Sequence, residues 1–339
     1  MRRVRLLVVA AALAAAALVG LPAAPPPGAI ARAAAPLPQQ RTPVSMGLVS
    51  ITALSWPLYA GQATGAFEQE RLAPDVTPLG SAPAVSTAVV SGSVDIGTAA
   101  MDIHIRAVER GGNATWWMTE FANPVYRLLA RPGINSYADL RGRTISVDSP
   151  NGITYYLVGR MLRQAGLGPN DYNFVFAGGT PDRLAALVAG GVDAAVLIQP
   201  FDFAAERQGY RDVGRSTEVV PAFEFVGYTS RPDWLRGNED IVARFIRAYQ
   251  SGQRWLYDPA NKDRAIQVLV DQTRIAPEDA RATYDLYVEQ TRSFPPGGRI
   301  NPAGVQAVLD ALVDLGDLAT PTPPPSKYVD PTYIDRYAQ

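Results

Sequence analysis

One histidine, His104, and no cysteine leave this 339-residue chain few routes to covalent chemistry. Disulfides, thiolate catalysis, iron–sulfur clusters and Cys-bound zinc are excluded. A Ser-His-Asp triad or a His-based metal site has little room, and no G-x-S-x-G nucleophile elbow occurs. Any two of the 32 Asp and Glu could meet by chance, so acid–base catalysis has no positive signal. The sequence therefore assigns no catalytic residue, no metal ligand and no cofactor. It does hold the residue types of non-covalent binding. Helix starts with small or capping residues offer backbone N–H groups to a carboxylate, sulfonate or nitrate. Aromatic faces suit a planar or apolar body.

Several loops carry these types. Loop 50–56 holds Ser55 and Trp56, loop 80–82 holds Ser81, and loop 99–102 holds Ala100, Met101 and Asp102. Loop 149–155 holds Asn151, Gly152, Thr154 and Tyr155, and loop 178–181 holds Gly179 and Thr180. Gln199-Pro200-Phe201 supplies a neutral donor and acceptor beside an aromatic ring. Thr180 before Pro181 reads as a helix cap followed by a first-turn proline; Asn151 and Ser81 can cap likewise. Asp102 could accept from a ligand amino group or merely cap its helix. Arg183 could reach an anion, and the lone His104 reads as structural. Trp56 and Tyr155 are the aromatic candidates. Trp116 and Trp117 must point to opposite faces if their segment is a strand, so one of them belongs to the core.

The elements that must hold these loops alternate. Strands are expected at 44–51, 75–79, 94–99 and 114–119, with helices at 57–67, 81–91 and 102–109 between them. The pattern recurs with strands at 143–147, 173–176 and 192–198 and helices at 153–165 and 181–189. Residues beyond 240 read as mainly helical, through 240–256, 262–273, 277–290 and 302–315. Such alternation predicts parallel α/β sheets. One internal match stands out: residues 88–97 align with residues 186–195, each a helix end, a Gly C-cap, a Val-Asp turn and a buried strand. Asp95 and Asp193 therefore read as turn-forming, and the chain as two similar α/β domains.

With 47% hydrophobic and 19% charged residues, the composition fits a soluble globular protein and excludes a polytopic membrane protein. The start reads as an export signal: three arginines in the first five residues, an apolar run over 6–21, and small residues ending at Ala33-Ala34-Ala35. The run is shorter than the roughly 20 residues a membrane span needs, and prolines follow it. Cleavage near Ala35 would leave a free, soluble protein outside the cytoplasm. It would also remove four arginines and no acid, and a mildly acidic chain without a basic run is a poor nucleic-acid binder.

These features together resemble the periplasmic solute-binding proteins of ABC importers, in the group handling nitrate, sulfonates, taurine and thiamine precursors. The carrying segments are YAGQATGAFE at 59–68, SGSVDIG at 91–97, YADLRGR at 137–143 and AGGVDAA at 189–195. Gln199-Pro200 and YVDPTYI at 328–334 add to them. The resemblance implies a two-lobed, type II periplasmic-binding-protein fold: two α/β domains joined by two crossover strands, with the ligand in the interdomain cleft. Lobe 1 would be 41–125 plus 229–339, lobe 2 would be 130–222, and the hinge strands 125–130 and 223–229. The five loops, with Gln199 and Phe201, would converge on that cleft. The implied partners are a small organic solute, anionic or aromatic, and an inner-membrane permease; a monomer without cofactors is expected. Two alternatives differ in class. One is a sensing module for a membrane receptor. The other is a thiamine-pyrimidine-synthase-like enzyme, which the absence of cysteine disfavours.

Overall fold

The computed structural model describes residues 41–150, 152–220 and 222–337. The export-signal expectation falls on residues 1–35, outside the described residues. Strand β1 (Thr42–Leu48) sends Val44, Met46 and Leu48 into the interior. It leads into α1 (Trp56–Ala63), α2 (Ala66–Gln69), β2 (Leu72–Pro78), α3 (Ala82–Ser91), β3 (Ile96–Ala100), α4 (Met101–Glu109) and β4 (Thr115–Ala122). Then come β5 (Arg127–Ala130), β6 (Thr144–Val147), α5 (Ile153–Gln164), β7 (Asn173–Phe176), α6 (Thr180–Val188), β8 (Ala194–Leu197), α7 (Phe201–Arg207) and β9 (Arg211–Arg215). β10 (Glu224–Ser230) precedes the helices α8 (Pro232–Gly237), α9 (Glu239–Tyr257), α10 (Lys262–Thr273), α11 (Pro277–Tyr284), α12 (Pro302–Asp314) and α13 (Thr332–Tyr337). α11 runs on into a π-helical stretch, Asp285–Gln290. No described helix is long and apolar enough to cross a membrane.

Two five-stranded sheets result, ordered β2-β1-β3-β10-β4 and β7-β6-β8-β5-β9. They correspond strand for strand. In each, the first three strands are parallel and the fourth runs antiparallel to both neighbours. β5 and β10 therefore complete opposite sheets, and the chain passes from one sheet to the other twice.

The internal match seen in the sequence is a physical repeat. Asp95 Oδ2 accepts from Ser45 N at 3.1 Å and Ser45 Oγ at 2.7 Å, which clips the entry of β3 to β1. Asp193 Oδ2 accepts from Thr144 N and Thr144 Oγ1, both at 2.9 Å, and clips β8 to β6 in the same way. The turn reading of these two residues is extended by this cross-strand role. Gly92 and Gly190 take left-handed φ values of 81° and 79° where α3 and α6 end, as a C-terminal glycine allows.

Trp116 and Trp117 point to opposite faces of β4, and both are fully buried, each in a different apolar cluster. The expectation that only one is core was too narrow, because helices cover both faces of this sheet. β9, α8 and α13 were not expected from the sequence. β9 reads Arg-Asp-Val-Gly-Arg and lacks an apolar run, being an edge strand with exposed charges. Residues 127–130, within the first expected crossover strand, pair as β5 in the second sheet. The chain passes between the sheets from the end of β4 to the start of β5, and again from the end of β9 to the start of β10.

Candidate ligand cleft

The two passages are bonded to each other. Asn123 N donates to Phe223 O at 2.9 Å, and Phe223 N to Asn123 Oδ1 at 2.8 Å. At the other end Tyr126 N donates to Ser216 Oγ at 3.0 Å, and Ser216 N to Tyr126 O at 2.9 Å. This fixes Tyr126 at the point where the chain changes sheets. Its buried phenol feels the charges of Arg183, Asp148 and Asp102, and burial pushes its proton affinity up.

Those charges come from both sheets. Asp102 lies in the first turn of α4, at the carboxyl end of β3, and is 2% exposed. Its carboxylate accepts from Arg106 Nη1 at 2.6 Å, and Arg106 also holds Asp317 Oδ2 through Nε at 2.9 Å. Burial raises the Asp102 carboxyl above the usual range; Arg106 opposes this, and the charge of Asp148 adds to it. Asp148 follows β6 in the second sheet. Its Oδ1 accepts from Ser149 N at 2.8 Å, while its own N–H donates to Thr154 Oγ1 at 2.8 Å. Its carboxylate lies against the α carbon of Gly152, where a β carbon would sit 2.4 Å from both oxygens. Gly152 is the N-cap of α5, so the Asp148 carboxylate lies close to that helix start. Buried Arg183 is also engaged: Nε donates to Val196 O at 2.7 Å, Nη2 to Thr180 Oγ1 at 2.8 Å, and Nη1 to Gly178 O.

Gln199 lies at the end of β8. Its Nε2 donates to Val125 O at 3.2 Å and to Asp202 Oδ2 at 2.6 Å. Gln199 Oε1 and the Tyr287 hydroxyl are each buried and have no hydrogen-bond partner. Asp202 also meets Arg127 Nη1 at 3.3 Å. Beside the start of α6, half-buried Tyr155 packs on Phe174 at 5.0 Å and faces Phe176 at 6.3 Å between ring centroids. Phe176 is 48% exposed, which makes an aromatic shelf at the carboxyl end of β7.

The sequence-predicted residues divide accordingly. Asp102, Gly152, Thr154, Tyr155, Gly179, Thr180 and Gln199 lie on the elements around Tyr126 and Asp148. Ser81 caps α3 as expected, accepting from Ala84 N at 3.3 Å. Thr180 is not the cap of α6: Gly179 holds that position, and the Thr180 hydroxyl serves Arg183 instead. Asn151 lies outside the described residues. Ala100 is strand-paired to Val226, and Phe201 opens α7 half-buried. Three expectations need correction. Trp56 is fully buried, donates Nε1 to Ala265 O at 3.0 Å and packs edge-on against Tyr284, so its faces serve the core. Ser55 is spent on Glu120 Oε2 at 3.0 Å, and Met101 is a core side chain. His104 is structural, as read: buried, held to Tyr328 O at 2.9 Å and lowered to about 4 by burial. Sequence reasoning did not single out Asp148 or Tyr287. An acid directly before the Ser-Pro-Asn-Gly turn was the available signal for the first.

Burial raises three carboxyls of the interior: Glu120 to about 8, Glu224 to about 7 and Asp202 to about 6. The folded state then holds protons that the unfolded chain has already released. Stability must therefore fall as pH rises above the ordinary carboxylate range, by about 1.4 kcal/mol per pH unit for each group until the pH passes that group's own raised value. His104 acts in the opposite sense only below 6.5, its ordinary value. Urea unfolding at pH 6.5 and 8.5 should show the lower midpoint at 8.5. Glu120→Gln should shrink the difference; an equal or higher midpoint at 8.5 in the wild type would contradict the assignment.

Two surface hollows lie elsewhere, one of about 340 Å3 beside Gln253 and Arg292, the other of about 490 Å3 beside Tyr59 and Gln272. Neither is lined by Asp102, Tyr126, Asp148 or Gln199.

Comparison with known proteins places this architecture. The alkanesulfonate-binding protein SsuA from Xanthomonas axonopodis pv. citri, bound to MOPS, superposes with a TM-score of 0.69 at 18% identity, over 85% of this chain and 98% of that one. The periplasmic nitrate-binding protein NrtA from Synechocystis PCC 6803 gives 0.73 at 13% identity, over 88% and 89%. The ligand-binding component of an ABC-type import system from Staphylococcus aureus, with zinc bound, gives 0.74 at 13% identity, over 88% and 99%. A search of the curated proteins gave no significant match. The structural likenesses establish the fold: the α/β, two-lobed type II periplasmic-binding-protein arrangement implied by the sequence resemblance is the one present. The NMT1/THI5-like family model matches residues 53–262, more than half of the chain, and the protein belongs to that family.

Proposed function

We propose that this protein is an extracytoplasmic solute-binding protein. It captures a small organic solute between its two α/β layers and delivers it to an ABC-importer permease. On this reading the chain is exported, cleaved near Ala35 and works as a periplasmic monomer without catalysis. Lobe 1 comprises 41–125 with 229–339, lobe 2 comprises 130–222, and closure occurs about 125–130 and 223–229. The observation that carries it is the pairing of two matched sheets through two mutually bonded passages, with polar groups of both sheets meeting at Tyr126. Its orphaned Gln199 oxygen and Tyr287 hydroxyl suit a partner from outside the chain.

A thermal-shift screen of the mature protein tests this. Its panel holds nitrate, taurine, alkanesulfonates, aromatic acids, pyrimidines and aromatic amines. A solute at 100 times its dissociation constant should stabilise by about 2.7 kcal/mol. A panel broadened to the small organic solutes of the medium that yields no stabilising compound would count against a binding role.

A further inference from the structure

A hollow of about 340 Å3 opens between α9 and the segment that follows the π-helical stretch. All of its lining comes from residues 250–258 and 292–297, so it is built by one part of the chain after β10 and stands apart from the cleft. Side-chain bonds from α9 to the backbone opposite fix its walls. Gln250 Nε2 donates to Gly297 O at 3.0 Å, and Gln253 Nε2 to Pro295 O at 2.8 Å. Gln253 Oε1 accepts from Gly297 N at 2.8 Å, and the Tyr257 hydroxyl donates to Phe294 O at 2.9 Å. The volume is at the small end of the range for pockets that take small molecules, roughly 300–1,000 Å3.

Two guanidinium groups line this hollow. Arg292 takes a left-handed φ of 48°, and its guanidinium lies over the Tyr257 ring, 4.5 Å from the centroid. Arg254 stands one turn before Tyr257 on α9. Both arginines are exposed, and among the described residues no carboxylate pairs with either. Their neighbours are paired: Arg244 with Asp240 at 2.8 Å and Arg247 with Glu70 at 2.7 Å on the same helix, and Lys262 with Asp285 and Glu289. One carboxylate lines the hollow, that of Asp258, and its Oδ1 already accepts from Ala260 N at 3.0 Å. The lining thus sets two cations against one acid, with N–H donors in excess because the Gln253 amide and the Tyr257 hydroxyl are spent on the walls. A guanidinium presents a planar fork that matches the paired oxygens of a carboxylate or phosphate. We infer that this hollow is a second binding site, for a small oxyanion of the phosphate or dicarboxylate type, received by Arg254 and Arg292 together.

Calorimetric titration of the full mature protein with inorganic phosphate and with malonate, in chloride buffer of constant ionic strength, tests this. At least one of the two should bind saturably. Arg254→Gln and Arg292→Gln should each weaken that anion at least fivefold, and the double variant should abolish its binding, with circular dichroism unchanged. Asp258→Asn keeps an oxygen for Ala260 N and removes the negative charge. It should tighten the same anion about two- to fivefold, the worth of one exposed charge pair. No saturable binding of either anion by the wild type would overturn the inference. So would equal affinity in the double variant, which would place the anion elsewhere on the protein. Should the arginine variants fail to fold, Asp258→Asn decides, and an affinity that it leaves unmoved overturns the inference. None of these results touches the reading of the cleft, since the two sites share no residue.

Discussion

Replacing Trp56 by alanine should lower the stability of the protein by about 3–5 kcal/mol, the range for removing a large aromatic side chain from a packed core. The indole is fully buried at the start of α1. It donates to the carbonyl of Ala265 in α10 at 3.0 Å and meets the edge of Tyr284 at 5.8 Å. Its loss leaves a cavity and an unmet carbonyl where three helices meet. Chemical denaturation monitored by circular dichroism should show the shift with no ligand present. A wild-type midpoint, together with weakened solute binding, would instead return Trp56 to the cleft.

Gly252→Ala should be damaging for a different reason, with a loss of about 3 kcal/mol or more, at or beyond the usual cost of an added methyl group. Gly252 lies in α9 where that helix crosses α1. A β carbon there would sit 2.4 Å from Pro57 O, 2.5 Å from Gly61 N and 2.7 Å from Gly61 Cα. These are backbone atoms of a helix and cannot rotate aside, so the two helices must separate. The same denaturation experiment checks it. A variant as stable as the wild type would mean that α1 and α9 are not in such close contact.

Much of the architecture was legible because it is written in local patterns. Alternating strands and helices gave the α/β class, and the paired Val-Asp turns gave the duplication, which the Asp95–Ser45 and Asp193–Thr144 clips make physical. The edge strand Arg211–Arg215 was not legible, since nothing apolar marks it. The site was only partly legible. Helix starts can be found from caps and prolines, but which of them has one of the chain's own carboxylates beside it depends on folding. Asp148 against Gly152 is such a case. Trp56 was misplaced for a related reason: its partners, Ala265 and Tyr284, lie more than 200 residues along the chain and give no local signal.

Closure of two α/β lobes around a solute is the central claim, and small-angle scattering measures it most directly. The mature protein is measured alone and with a saturating solute from the thermal-shift screen. The lobes should move together about the two bonded passages, at Asn123–Phe223 and Tyr126–Ser216, and the radius of gyration should decrease. An unchanged radius with saturation confirmed by calorimetry would contradict closure of the cleft on its solute.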